Sequence, residues 1–389
     1  MTCESANLRA RVLQIGKFYP PVRGGMETHL QALCRALSAT VDLDVIVGHT
    51  GSRTLRDFDG EIPIHRIGTV ATVASASICP GMVSAIRNTP ADIVHLHSPN
   101  PTAVFSYLAS GHRGRLVVTH HSDIIRQRLL KFAYEPWLRR LMSRADAIVS
   151  FSPNYISSSA VLSRHREKCH VIPHGIDPAR FQHPDPGGVA KITDRYGSRI
   201  VLAVGRLVYY KGFDYLIRAV SGTDATLLII GTGPLRAQLT ELARSLHLDD
   251  RVHFLGDVPD VTNYYYAARI FALPSIARSE AFGIVQLEAM ACGTPVVNTQ
   301  LDSGVPFVSI DGVTGFTVPP ADVTSLRHSI QRLLRDDALH AQFSLAARQR
   351  VRIHFTLENM AKATLQLYEN VLQEELAVAE PIALAAAHD

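Results

Sequence analysis

Twice along its length the chain opens the same pattern: a short apolar run, a glycine-bearing loop, then a helix. The first series starts at Val12-Leu13-Gln14-Ile15-Gly16, passes through a loop holding Pro20, Pro21, Gly24 and Gly25, and continues into a helix from Met26. That helix carries Leu30, Leu33 and Leu37 on one face. Apolar runs follow at 43–47, 92–96, 116–119 and 147–151, and a second series restarts at 200–205 with runs at 227–230, 252–255, 270–273 and 295–297. Apolar side chains at successive positions mark strands buried on both faces, as in a parallel sheet covered by helices. The expected fold is α/β, with two doubly wound Rossmann-like domains facing across a cleft at their strand C-termini. His183-Pro184-Asp185-Pro186-Gly187-Gly188 is a turn-rich break between the series. It divides the chain into a first domain at 1–183 and a second at 184–356. A C-terminal helix at 357–374, returning toward the first domain, and a disordered tail at 375–389 complete the expectation.

The composition bounds the partners. With 389 residues, 19% of them charged, and a formal charge of +4, the chain lacks the basic excess of a nucleic-acid binder. Five cysteines, odd in number and without CxxC spacing, suit a reducing cytoplasm. Residues 1–10 lack a secretory apolar stretch, and no apolar run reaches the roughly 18–20 residues that cross a bilayer. Membrane contact would therefore be peripheral, at a cytoplasmic location.

The segment from Ser279 to Gly293 sets Glu280 and Glu288 eight residues apart around the start of a helix expected near Phe282, which Cys292-Gly293-Thr294-Pro295 ends. Free N–H groups in the first turn are a seat for phosphate. Acceptors on either side suit a ligand with a central diphosphate and hydroxyl-bearing sugars at both ends, the shape of a nucleotide-sugar.

Two further loops fit that ligand. Gly24-Gly25 would let backbone N–H groups approach a phosphate, and Gly205-Arg206-Leu207-Val208-Tyr209-Tyr210-Lys211-Gly212 carries two cations that could neutralise a diphosphate without a metal. Gly231-Thr232-Gly233-Pro234 lacks the third glycine of a dinucleotide fingerprint and reads as a cleft-facing loop. His95 and His97 share one strand face, and His120-His121 ends another strand, with no cysteine or carboxylate at metal-ligand spacing. Asp42-Leu43-Asp44 and Asp57-Phe58-Asp59 look like metal clamps, but the first opens a strand and the second is expected in a polar loop.

Taken together, Gly24-Gly25, the strand-end histidine, Ile172-Pro173-His174-Gly175-Ile176-Asp177, Arg206 with Lys211-Gly212, and the Glu280–Glu288 pair resemble the retaining glycosyltransferases of family 4, of GT-B fold. The resemblance implies that Arg206 and Lys211 stabilise the donor diphosphate, Glu288 holds the ribose and Glu280 meets the transferred hexose. Backbone at Phe282, Gly283 and Ile284, and at Gly24, Gly25, Gly205 and Gly233, would complete the donor site, with His121 at the reacting centre. It also implies front-face transfer with retention, needing no metal or other cofactor. The chain departs from the common pattern at His174, where many members carry Asn, and at Leu301-Asp302-Ser303-Gly304-Val305-Pro306, where many show Gly-Gly.

Residues 124–144 combine Arg126, Arg128, Lys131, Arg139, Arg140 and Arg144 with Phe132, Trp137, Leu138 and Leu141. Pro136 is expected to split the stretch into two short helices lying on an anionic inner leaflet. By resemblance the donor is GDP-mannose and the acceptor a polyprenyl-diphosphate-linked glycan of bacterial polysaccharide synthesis. UDP-sugar transfer, a sugar-nucleotide epimerase and a silent binding protein are the alternatives.

Overall fold

The computed structural model describes residues 9–22, 24–73, 76–124 and 128–383, the side chains of 128–131 and 374–383 excepted. Two compact units emerge, one of residues 1–151, 159–172 and 357–389, the other of 152–158 and 173–356. The chain thus passes between units at 172/173, before the turn-rich break, and Ser152–Ser158 belongs to the second unit. The C-terminal helix, Leu357–Ala383, packs on the first unit and continues through most of the stretch expected as a tail. Its buried Met360, Leu367, Tyr368 and Val371 recur at helical spacing and join the first unit's core.

In the first unit eight strands form one sheet in the order Cys169–Val171, Ala147–Ser150, Arg115–His120, Ile93–Ser98, Arg11–Ile15, Asp42–Gly48, Ile62–Ile67, Leu55–Asp59. All neighbours are parallel except the last pair. Val45, Ile46 and Val47 are buried at successive positions, as are Ile93 to Ser98, the double-sided burial anticipated for a parallel sheet. The antiparallel edge strand was expected as a loop. Its apolar face is weak, and side-chain bonds hold it instead: Asp57 pairs with Arg66, while Asp59 accepts from Tyr19, Gln31 and Arg35. The Asp-x-Asp there is consumed by structure.

In the second unit six parallel strands run Val252–Gly256, Thr226–Ile230, Ile200–Val204, Ile270–Leu273, Val296–Thr299, Gly315–Val318. The order reverses between Ile200–Val204 and Ile270–Leu273. At such a switch point the loops leaving two adjacent strands diverge and leave a crevice at the strand C-termini. The loops in question are 205–212 and 274–283, the two richest in charged motif residues. In the first unit the corresponding reversal lies between Arg11–Ile15 and Ile93–Ser98.

Pro136 lies inside a single helix, Arg128–Arg144, instead of dividing it. Proline costs one backbone bond there. Burial of Tyr134, Leu138, Leu141 and Met142, at helical spacing across the proline, holds both halves in line. Among the described residues no helix is long and apolar enough to cross a membrane.

Candidate active site

Lys211 and Glu280 meet at the second unit's switch point, with Nζ and Oε2 2.5 Å apart and side chains only 11% and 10% exposed. Each is placed by its loop. After Val204 the backbone turns through Gly205 at φ 150°, where a Cβ would lie 3.1 Å from the Lys211 Nζ. Gly212 follows at φ 65°, in the left-handed region, and any Cβ there would collide with the Pro274 carbonyl. That close approach sets the lysine loop directly on the chain leaving the neighbouring strand. Ser275, fully buried, donates from Oγ to Glu280 Oε2 at 3.1 Å, and its own carbonyl accepts from Thr299 Oγ1 at 2.5 Å.

The helix after the loop spans Ile284–Ala291, starting two residues later than expected. Gly283 at φ 75° is its cap, in a conformation that interrupts helix propagation. Glu280 therefore sits in the loop, while Glu288 lies in the second turn. Two buried carboxamides brace the helix entry. Gln286 Nε2 donates to the Phe282 carbonyl at 3.1 Å, and Asn298 Nδ2 donates to Gln286 Oε1 at 2.8 Å and to the Val305 carbonyl at 3.1 Å. The departing loop at 301–306 joins this support, because Gly304 N–H donates to the Ala281 carbonyl at 2.7 Å. His174 packs edge-on to Phe282, with centroids 4.9 Å apart.

Glu288 accepts from the Tyr265 hydroxyl at 2.8 Å. Burial pushes its carboxyl above the usual range, opposed by that hydrogen bond and by Arg180. Its placement suits an acceptor for ligand hydroxyls, which need no full countercharge. Arg206 is exposed at the mouth of the same loop. Gly233 is required by packing, since a Cβ there would sit 2.5 Å from the Leu207 carbonyl. Gly205 and Gly233 thus stand on neighbouring loops, tied by Leu207 N–H donating to the Thr232 carbonyl at 2.9 Å.

In the first unit, Gly24 caps the helix Gly25–Leu37 in extended backbone, and a Cβ on it would strike the buried Glu27 carboxylate. Gly25 has open space around it. His120 and His121 separate sharply. His120 Nε2 meets Asp123 Oδ1 at 3.0 Å, whereas His121 joins a buried group of rings with His29 and His97. His97 Nδ1 lies 3.0 Å from His121 Nε2, and His29 sits edge-on to His121 at 5.2 Å between centroids. One ring nitrogen from each of the three lies within 4.8 Å of the others. The His97–His121 hydrogen bond joins two of the rings directly.

Of the basic helix, Arg126 lies outside the described residues, and Arg128 and Lys131 begin the helix without a side-chain description. Arg139 pairs with Glu135 at 2.5 Å, Arg140 is exposed, and Trp137 is 43% exposed against Phe105.

Comparison with known proteins fits this geometry. Residues 190–350 match the family described as glycosyl transferases group 1, and residues 23–180 match Glycosyltransferase Family 4. A D-rhamnosyltransferase of Pseudomonas aeruginosa is 34% identical over 89% of the chain and 92% of its own length. O-antigen chain mannosyltransferase C of Escherichia coli is 30% identical over 94% and 100%. Sucrose-phosphate synthase of Thermosynechococcus elongatus superposes with a TM-score of 0.79, covering 94% of this chain and all of that one at 24% identity. The protein is an enzyme of GT-B fold, a hexosyltransferase. It belongs to glycosyltransferase family 4.

Sequence reasoning missed Ser275, Tyr265, Gln286 and Asn298, because each acts through partners distant in the chain. Gln14 carried a usable signal, as the polar residue of an otherwise apolar central strand.

A buried pair broken on one side leaves a charge uncompensated, at a cost of about 3–5 kcal/mol. Lys211→Met should lower the unfolding free energy on that scale, measured by chemical denaturation without ligand. Adding Glu280→Gln should recover part of the loss, and strictly additive effects in the double-variant cycle would contradict the pairing.

Proposed function

We propose that this hexosyltransferase moves mannose, with retention, from GDP-mannose to a lipid-linked oligosaccharide in bacterial O-antigen or exopolysaccharide synthesis. The observation that carries the reading is the Lys211–Glu280 pair at the switch point of the second unit, with Glu288 one helical stretch beyond. In this reading the donor diphosphate takes over Lys211, assisted by exposed Arg206, and the two cations stabilise charge that grows on the leaving phosphate. Glu280, released from its lysine, accepts from hexose hydroxyls, and Glu288 holds the ribose. N–H groups around Phe282, Gly283 and Ile284 face the phosphates, as helix N-termini do. Gly24, Gly25, Gly205 and Gly233 admit backbone close to the donor, and His121 meets the transferred sugar. The leaving phosphate helps remove the acceptor proton, so the residues supply all the charge stabilisation and the reaction is metal-independent.

Mannose is favoured by the relatives. One is named for mannose transfer and another for D-rhamnose, which is 6-deoxymannose, so both sugars carry an axial 2-hydroxyl. Guanosine diphosphate is the common carrier of such D-sugars.

The acceptor's lipid places the enzyme at the cytoplasmic face of the inner membrane as a peripheral protein. The support is the helix Arg128–Arg144, which buries Leu138 and Leu141 while leaving Phe132, Trp137 and Arg140 exposed. An exposed aromatic beside exposed cations suits an anionic lipid surface.

Two measurements test this reading. In thermal unfolding without metal, GDP at about 100 times its dissociation constant should stabilise the protein by about 2.7 kcal/mol. UDP should do far less, and stabilisation by UDP alone would discard the GDP-mannose assignment while keeping the mechanism. In vesicle flotation with anionic lipid, Arg140→Ala should weaken partitioning about fivefold, the scale of about 1 kcal/mol per cation. Unchanged flotation of a Trp137→Ala, Arg140→Ala double variant would refute the membrane contact.

A further inference from the structure

A continuous chain of five buried hydrogen bonds runs through the centre of the first unit and ends on His121. Thr119 Oγ1 lies 2.6 Å from His95 Nε2, and His95 Nδ1 lies 2.6 Å from the Tyr368 hydroxyl. Gln14 Nε2 donates to that hydroxyl at 3.0 Å, Gln14 Oε1 lies 3.0 Å from His97 Nε2, and His97 Nδ1 lies 3.0 Å from His121 Nε2. All six residues are at most 6% exposed. They come from three strands or their ends and from the C-terminal helix, so no short segment of sequence contains the chain.

Its polarity follows from the inventory of donors and acceptors. Gln14 turns its carbonyl to His97, so the His97 proton is on Nε2. A neutral ring has one proton, and His97 Nδ1 must then accept, which puts the His121 proton on Nε2. On the other side the Gln14 amide donates to Tyr368, whose own proton goes to His95 Nδ1, leaving the His95 proton on Nε2 toward Thr119. Burial supports the single-proton state, because it pushes the His95 ring down to about 3 and the Tyr368 phenol upward. Reversing one bond would set two donors or two acceptors face to face and leave buried polar groups unsatisfied. The five bonds therefore reverse together or not at all.

We propose that Gln14, His97 and Tyr368 are positioning residues that fix His121 as its Nε2–H tautomer, so that Nδ1 is the nitrogen that accepts a hydrogen bond from a hydroxyl of the transferred sugar. The catalytic half of this statement rests on His121 meeting the sugar; the tautomer itself does not. Gln14 is the hub, the one member whose two ends differ in kind. The C-terminal helix contributes Tyr368, which gives this helix a part in setting the proton on a ring 247 residues earlier in the chain.

The test is nitrogen-15 spectroscopy of ring-labelled histidines in the full-length protein without ligand, with assignments from single His→Gln variants. His95, His97 and His121 should all report a protonated Nε2 and a lone pair on Nδ1. Gln14→Met, similar in shape but unable to hydrogen-bond in this way, should lose the single tautomer at His97 and His121. Gln14→Glu should retain it, since a carboxylate still accepts from His97. A protonated Nδ1 at His121 in the wild type, or an unshifted His121 in Gln14→Met, would overturn the proposal, and the wild-type and Gln14→Glu spectra decide it even if Gln14→Met does not fold. In transfer assays Gln14→Met should lower kcat about tenfold, the scale of one hydrogen bond, with the donor KM unchanged. A shifted tautomer with undiminished kcat would uphold the relay and instead refute the contact between His121 and the sugar.

Discussion

A lysine and a glutamate that are both almost out of water must neutralise each other, and the second unit is organised around that requirement. Lys211 and Glu280 lie on loops from strands that are adjacent in space but far apart in sequence, so only the reversal of strand order at the switch point brings them together. Gly212 lets the two loops touch, Ser275 supplies a second hydrogen bond to the carboxylate, and the Gln286–Asn298 amides hold the following helix at its entry. A pair so held is costly to break and carries little net energy while intact. In the proposed function it stores the two charges in a geometry from which a diphosphate and a sugar hydroxyl would each claim one.

Much of this architecture was legible in the sequence because parallel sheets leave a plain signature. Consecutive apolar residues such as Val45-Ile46-Val47 or Ile270-Phe271-Ala272-Leu273 can only be buried on both faces. The central strands were read on that basis. Edge elements were not, because Leu55–Asp59 is held by the partners of Asp57 and Asp59 and not by an apolar pattern. The proline in Arg128–Arg144 misled for a similar reason. A local breaker was outweighed by four buried side chains, whose contacts lie elsewhere in the fold.

The site divided along the same line. Glu280, Glu288, Lys211 and the glycines could be named from motif and spacing, since charge types and backbone freedom are written locally. Their supports could not. Ser275, Tyr265, Gln286 and Asn298 are ordinary polar residues until the fold places them, and the relay from Tyr368 to His121 spans most of the chain. The helix entry also shifted. Gly283 in the left-handed region delays the helix to Ile284, so Glu280 is a loop residue whose position is set by Lys211 and Ser275.

The central claim is that the donor exchanges with the Lys211–Glu280 pair, and a crystal structure of the protein with GDP-mannose tests it most directly. Lys211 Nζ should lie on diphosphate oxygens, with Glu280 on hexose hydroxyls and Glu288 on the ribose. A donor bound elsewhere, with Lys211 still 2.5 Å from Glu280 and Glu288 bonded to Tyr265 alone, would contradict the account.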